Sequence, residues 1–339
     1  MANPALTHIR ETILHIEDAV RGTIIGQDHL IRRIIIALFA WGHVLIEWVP
    51  WLGKTLTIKT LAGVLGYGFK RISFTPDLLP SDLTGTEIYR ADTGKFELRK
   101  WPIFTEILLA DEINRTPPKV QSALLEAMEE KHVTIGDATL ELPKTFFVLA
   151  TENPIEHEGT YPLPEAELDR FLMKILIDYP APVDEKLIWK AESNTPHTKK
   201  SKEIPSTIDL IEMRDYIAKH IRVDDAIYDY ISRILEATRS RWMHTSSEKS
   251  HLLARFQKEE MNTPPLLSYG ASTRAGLALI RTARVLALIE WRDYVLPEDI
   301  KALTPEVLRH RLLLSYSALS TWQSVDDVID TILESVEVV

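Results

Sequence analysis

His43-Val44-Leu45-Ile46-Glu47 runs into Trp48-Val49-Pro50-Trp51-Leu52-Gly53-Lys54-Thr55, and a helical pattern follows over Thr55 to Leu65. A short apolar strand, a turn and a helix opening on Gly-Lys-Thr form the setting of a phosphate-binding loop. In such loops backbone N–H groups point at phosphate oxygens, the lysine reaches the outer phosphates, and the Ser/Thr hydroxyl meets Mg2+. The helix N-terminus adds its dipole to the same anion site. The strict pattern asks for glycine at position 48, where this chain has Trp48. Taken alone, the motif fails there.

The flanking segments supply the rest of a layered α/β domain. Glu106 to Ala110 and Thr145 to Ala150 read as buried strands, and Pro118 to Lys131 as an amphipathic helix. Two hairpins are expected, over Gly85 to Arg99 with a turn near Asp92-Thr93-Gly94, and over His132 to Leu142 turning at Gly136-Asp137. Asp111-Glu112 close the first buried strand. Phosphoryl transfer to water uses one carboxylate at a metal and a neighbour to activate the water. Acid pairs are also common at strand ends, so the pair carries weight only beside the loop.

Beyond residue 205 the pattern is helical, over Asp224–Arg239, Ser272–Glu290, Asp299–Leu313 and Ser324–Val336. Prolines and the run Lys199-Lys200-Ser201-Lys202 mark residues 183–205 as a linker, with the basic run as a solvated loop. The expected division is residues 1–182 for a nucleotide-binding α/β domain and 206–339 for a helical one, with Arg241 to Pro265 as a long loop or insertion.

Bulk properties narrow the classes. The 339 residues include no cysteine, which excludes disulfides and thiolate chemistry, and no histidine spacing suggests a metal cage. A formal net charge of −10 argues against nonspecific nucleic-acid binding. Met1 to Ile16 does not read as a signal peptide, and Ile34 to Ile46, broken by Gly42 and His43, reads as a buried helix running into a strand rather than a membrane span. A cytoplasmic protein is expected.

At this point the sequence resembles a known family. Leu109-Ala110-Asp111-Glu112-Ile113-Asn114-Arg115, Phe74-Thr75-Pro76-Asp77-Leu78-Leu79-Pro80-Ser81-Asp82, Glu158-Gly159-Thr160-Tyr161-Pro162-Leu163-Pro164-Glu165-Ala166, Leu168-Asp169-Arg170-Phe171 and Tyr269-Gly270-Ala271-Ser272-Thr273-Arg274-Ala275 resemble segments of MoxR-type AAA+ ATPases. The resemblance implies a P-loop AAA+ core, a parallel sheet between helices, followed by a small all-α lid, with ATP and Mg2+ as cofactors. It implies that Lys54 and Thr55 are the Walker A lysine and metal hydroxyl within a loop that includes Trp48, Pro50, Trp51, Gly53 and Leu56. Asp111 becomes the metal aspartate and Glu112 the general base. Asn153 becomes the sensor that orients water, and Arg170 the finger offered to a neighbouring subunit. Arg274 becomes the second sensor, reaching the γ-phosphate from the lid. Ile24-Ile25-Gly26-Gln27 resembles the segment against adenine. The implied assembly is a ring, expected to be a hexamer. The implied work is chaperone-like remodelling or maturation of a partner, including metal or cofactor insertion, with a von Willebrand factor A-domain protein as client. Rival readings are a non-hydrolysing scaffold, a magnesium-chelatase-like subunit and a DNA-directed motor.

The same resemblance exposes an anomaly. Trp48, Trp51, Trp101 and Trp291 stand where this family usually carries glycine, and Trp41 and Trp322 where it often does. The chain has 13 glycines and 8 tryptophans, whereas average usage predicts roughly two dozen glycines. Some bacterial lineages read the codon UGA as glycine and others as tryptophan. One gene read with the wrong code yields this pattern, and we take glycine as the hypothesis for all six positions. Indole rings at 48 and 51 are expected to crowd the phosphates, and a glycine-only backbone angle there would add strain.

Overall fold

The apolar runs between residues 44 and 177 assemble, in the computed structural model, into one five-stranded parallel sheet. The structure describes residues 3–48, 54–92, 94–100, 102–153, 159–177, 181–193, 209–239, 266–320 and 324–338. Helices α1 (Pro4–Arg21) and α2 (Asp28–Phe39) lead into β1 (Val44–Trp48), α3 (Lys54–Leu65) and β2 (Phe69–Ser73). The short α4 (Pro80–Thr84), the hairpin β3 (Gly85–Arg90) to β4 (Lys95–Lys100), and β5 (Ile107–Asp111) follow. A 3-10 turn at Ile113–Arg115 joins β5 to α5 (Pro118–Glu130). The hairpin β6 (His132–Ile135) to β7 (Ala138–Glu141), then β8 (Phe147–Glu152), α6 (Glu165–Leu168) and β9 (Met173–Ile177) complete the core. The second part holds α7 (Pro182–Ser193), α8 (Leu210–His220), α9 (Asp225–Arg239), β10 (Leu267–Tyr269), α10 (Thr273–Ile289), α11 (Pro297–Leu308), β11 (Leu313–Leu314), α12 (Tyr316–Ser320) and α13 (Val325–Ser335).

The strand order is β2-β5-β8-β1-β9, with every pairing parallel. All five C-terminal strand ends therefore share one edge of the sheet, where open α/β sheets place their ligands. Alternation assigns the faces. Val44, Ile46, Leu109 and Leu149 pack into the cluster that includes Ile58 and Leu61 of α3 and the helices of the second part. Leu45, Leu108, Ala110 and Val148 pack against Leu124 and Leu125 of α5. Asp111 and Thr151 continue the first of these faces, the one covered by the helix that starts at Lys54.

Buried arginines fasten the lid to the core. The guanidinium of Arg214 donates to the Leu38 carbonyl at 2.7 Å, and that of Arg10 to the Ile289 carbonyl at 2.9 Å. Arg33 pairs with Glu306 at 3.0 Å, and Arg311 with Asp169 at 2.7 Å. A carbonyl at a helix C-terminus is left without an intrahelical partner, so Arg214 and Arg10 satisfy acceptors that burial would otherwise strand.

Three expectations need correction. Residues 183–193 of the expected linker are helical, because Pro182 opens α7 at a position that needs no N–H and Asp184 and Glu185 complement its N-terminal dipole; residues 194–205 lie outside the described residues. The expected helix over Asp299–Leu313 ends at Leu308, and Leu313–Leu314 pairs antiparallel with Leu267–Tyr269, so the lid is helical with a two-stranded ribbon. Trp48 is the last residue of β1, in register with Ile177, and its φ is not positive, so no backbone strain arises at 48. Residues 241–265 lie outside the described residues. Among the described residues no helix is long and apolar enough to cross a membrane.

Candidate active site

The strand-end edge assembles the carboxylate half of the predicted site. Asp111 ends β5 and is 2% exposed. Its Oδ1 accepts from the Thr151 hydroxyl at 2.7 Å, and that hydroxyl also accepts from the Glu112 N–H at 3.0 Å. Thr151, fully buried on the neighbouring β8, thus holds both acids at once. Glu112 lies in the left-handed region, at φ 59° and ψ 51°. For a residue with a Cβ this is a strained turn of the kind found where a side chain must be aimed. The Glu112 carboxylate pairs with Arg115 at 3.1 Å. The turn beneath it is pinned by the buried Gln121, whose amide donates to the carbonyls of Ile113, Thr116 and Tyr161.

Asn153 follows β8 directly and is buried, so the strand that carries Thr151 also carries the predicted sensor to this edge. Thr55 is half-buried in the first turn of α3, and Leu56 beside it is exposed. Lys54 opens that helix. Val49 to Gly53, and with them the predicted Pro50, Trp51 and Gly53, lie outside the described residues. Ile25 is half-buried, and Gly26, at φ 73°, approaches α7 so closely that a Cβ would stand 2.8 Å from the Asp184 Cβ. The segment expected against adenine therefore packs on the helix that replaces the expected linker.

The two predicted arginines are elsewhere. Arg170 and Arg274 share the carboxylate of Glu129, at 2.8 and 2.6 Å. They line a cleft of about 300 Å³ with Trp41, His43, Leu172 and Arg311. His43 and Leu172 immediately precede β1 and β9, so this cleft lies at the opposite sheet edge from Asp111. Strands of five residues at about 3.3 Å each separate the two edges by roughly 15 Å. Arg274 is thus not brought to the Asp111–Glu112 pair of its own chain, as the sensor role had led us to expect. His43 stays neutral in the wall of this cleft. Burial lowers its pKa to about 3, and its Nδ1 accepts the Val148 N–H at 3.0 Å.

The donor set suits Mg2+ with a phosphate ligand. Among the described residues no group of three or more His, Cys, Asp or Glu forms a cage of its own. Mg2+ typically takes one or two carboxylates and completes its shell with water and phosphate oxygens, and Asp111 and the Thr55 hydroxyl are groups of that kind. Arg71, Thr151 and Glu129 carry no motif signature in the sequence, yet the first two bond Asp111 directly.

Comparison with known proteins agrees with the fold. Residues 43–173 match the ATPase family associated with various cellular activities (AAA), and residues 259–332 match the AAA lid domain. The chain is similar to Chaperone MoxR1 of Mycobacterium tuberculosis, at 45% identity over 94% of this chain and 80% of the relative. It is 30% identical to Protein MoxR of Methylorubrum extorquens, over 98% of this chain and 96% of that one. A crystal structure from Cytophaga hutchinsonii, described as a candidate ATPase, superposes with a TM-score of 0.87 at 42% identity, over 99% of this chain and 97% of that one.

Proposed function

The chain belongs to the MoxR family of chaperone-like AAA+ ATPases, and from that premise we propose that it hydrolyses ATP in a ring and spends the cycle on maturing a partner protein. The observation that carries the reading is the split site. Asp111, Glu112, Thr151 and Asn153 gather at one sheet edge, with Arg170 and Arg274 at the other. A head-to-tail ring repeats one heterologous contact and brings the arginine edge of one subunit to the carboxylate edge of the next.

Within that reading, bound Mg2+ supplies positive charge to the outer phosphates. Thr55 and Asp111 would hold it, Lys54 would neutralise phosphate charge, and Glu112 would take the proton of the attacking water that Asn153 orients. Arg170 and Arg274 act together on the neighbour's phosphates, where charge stabilisation by arginine is worth several orders of magnitude in rate. A hexamer and a von Willebrand factor A-domain client are the family expectations we carry forward. A second reading, a scaffold that does not hydrolyse, is favoured by one observation alone, the tryptophans at 48 and 51.

Mixed rings test the split. In a chain carrying W48G and W51G, R170A removes an arginine and leaves the carboxylates, while E112Q does the reverse. Each alone is expected to lose phosphate release. Mixing them restores it, because an intact carboxylate edge then meets an intact arginine edge. No recovery on mixing, with rings confirmed by light scattering, would refute a neighbour-acting arginine. No hydrolysis by the glycine-restored parent would favour the scaffold.

A further inference from the structure

We propose that Arg71 is a counter-ion of Asp111 that competes with free divalent cations for its carboxylate, so that Asp111 accepts metal only together with the phosphates of a nucleotide. The Nε and Nη2 of Arg71 both donate to Asp111 Oδ2, at 3.1 and 2.5 Å. A carboxylate oxygen has two lone pairs, so a metal ion or its water at Oδ2 must displace a charge-assisted bond, and one at Oδ1, which accepts the Thr151 hydroxyl, stands beside the positive charge of Arg71. Asp111 is 2% exposed, and a buried carboxylate stripped of its partner is strongly unfavourable. Arg71 therefore supports the folded chain as well as guarding the site.

The placement gives Arg71 room to yield. It sits on β2, the edge strand, in register with Leu109, two residues before the Ser73–Asp111 pair. Alternation puts Arg71 and Asp111 on the same sheet face. Its side chain is 45% exposed whereas that of Asp111 is 3% exposed, so the arginine can swing toward solvent while the aspartate stays. A bare dication meets the positive charge of the guanidinium at this carboxylate and is repelled. A nucleotide-bound dication arrives with phosphate oxygens that a planar guanidinium binds well, so Arg71 exchanges one anion for another. The functional meaning rests on the ATPase reading of Asp111; the competition itself does not.

Mn2+ binding, followed by electron paramagnetic resonance on the protein without nucleotide, tests the competition. Removing a unit charge roughly 6 Å from a dication in a water-like dielectric is worth about tenfold in affinity. R71M is expected to bind Mn2+ about tenfold more tightly than the parent, and R71M with D111N is expected to lose the gain. R71K keeps a charge but not the fork, and its affinity is expected to fall between. Near-UV circular dichroism checks the fold; if R71M does not fold, the parent-to-R71K comparison decides. Unchanged or weaker Mn2+ binding overturns the proposal, and weaker binding would instead make Arg71 a group that orients Asp111 for metal. Arg71-dependent Mn2+ binding in a glycine-restored chain that never hydrolyses ATP would sink the enzyme reading and leave this one standing.

Discussion

Replacing Trp291 by glycine should stabilise the protein, although it deletes one of the largest side chains. Helix α10 ends at Ile289, and Trp291 follows the cap residue Glu290 with φ 61°. The Trp291 N–H reaches the Leu288 carbonyl at 3.2 Å and the Arg292 N–H reaches the Ala287 carbonyl at 2.9 Å. This bond pair defines a helix stop whose left-handed residue is usually glycine. A left-handed conformation costs a residue with a Cβ about 1–2 kcal/mol, and the greater freedom of glycine in the unfolded chain returns roughly 0.5–1 kcal/mol of that. The ring contributes little against this. It is 71% exposed, and the Arg10 guanidinium crowds its face. The net expectation is a gain of about 1 kcal/mol, or roughly 2 °C in Tm for a chain of this size. Calorimetric melts of W291G, W291N and W291A measure it. Alanine removes the ring and keeps the strain, so the expected order of stability is glycine, asparagine, alanine. Alanine equal to or above glycine would show that the ring, not the backbone, sets the effect, and would remove the structural support for glycine at this position.

Trp41 repeats the geometry after α2, with φ 58° and the Gly42 N–H bonded to the Ala37 carbonyl at 3.2 Å. Its ring lies 4.6 Å from the Arg214 guanidinium, a contact worth about 0.5–1 kcal/mol, so W41G should be close to neutral in the same melts. At the phosphate loop, W48G with W51G is expected to bring ATP binding into the range of calorimetric detection while the unaltered chain shows little or none; equal affinities would clear both tryptophans. Sequencing the gene checks all six positions, since UGG codons there would make the tryptophans genuine. The Glu306 clamp predicts an acid limb. Burial alone would raise this carboxyl, but hydrogen bonds from His29 and Arg33 and the charge of Arg33 outweigh it and bring its pKa down from 4.5 to about 2. The stabilisation is therefore present above pH 4.5 and lost as pH falls toward 2, amounting to about 3 kcal/mol. E306Q should be less stable at pH 7 and should show a shallower loss over that window.

Local patterns made the sheet and its carboxylate edge legible. An apolar run followed by Asp111-Glu112 places two acids at a strand end whatever the rest of the chain does, and Lys54-Thr55 after a turn places a helix start beside them. What stayed hidden depended on register or distance. Thr151 and Arg71 are ordinary polar residues within strands, and only the pairing of β5 with β8 and β2 shows that they meet Asp111. Glu129 pairs with Arg274 across 145 residues of sequence, and with Arg170 as well, beyond the reach of any spacing rule. The prolines around 182 suggested a linker because proline interrupts helices, yet at a first helical turn the same residue starts one.

The two sheet edges also separate what the tryptophans do. Trp48 closes β1 at the carboxylate edge, immediately before the loop that leads to Lys54, so its consequence falls on the chain's own nucleotide. Trp41 lines the cleft that holds Arg170 and Arg274, at 39% exposure, so its consequence falls on that cleft. Trp291 touches neither edge and strains only the end of α10. If all six are glycines misread through one codon, the damage has no functional logic and should divide among binding, assembly and stability according to position alone. The left-handed backbone at 41 and 291 is one that glycine adopts without cost, so it supports glycine at those two positions and is independent of whether the chain hydrolyses ATP.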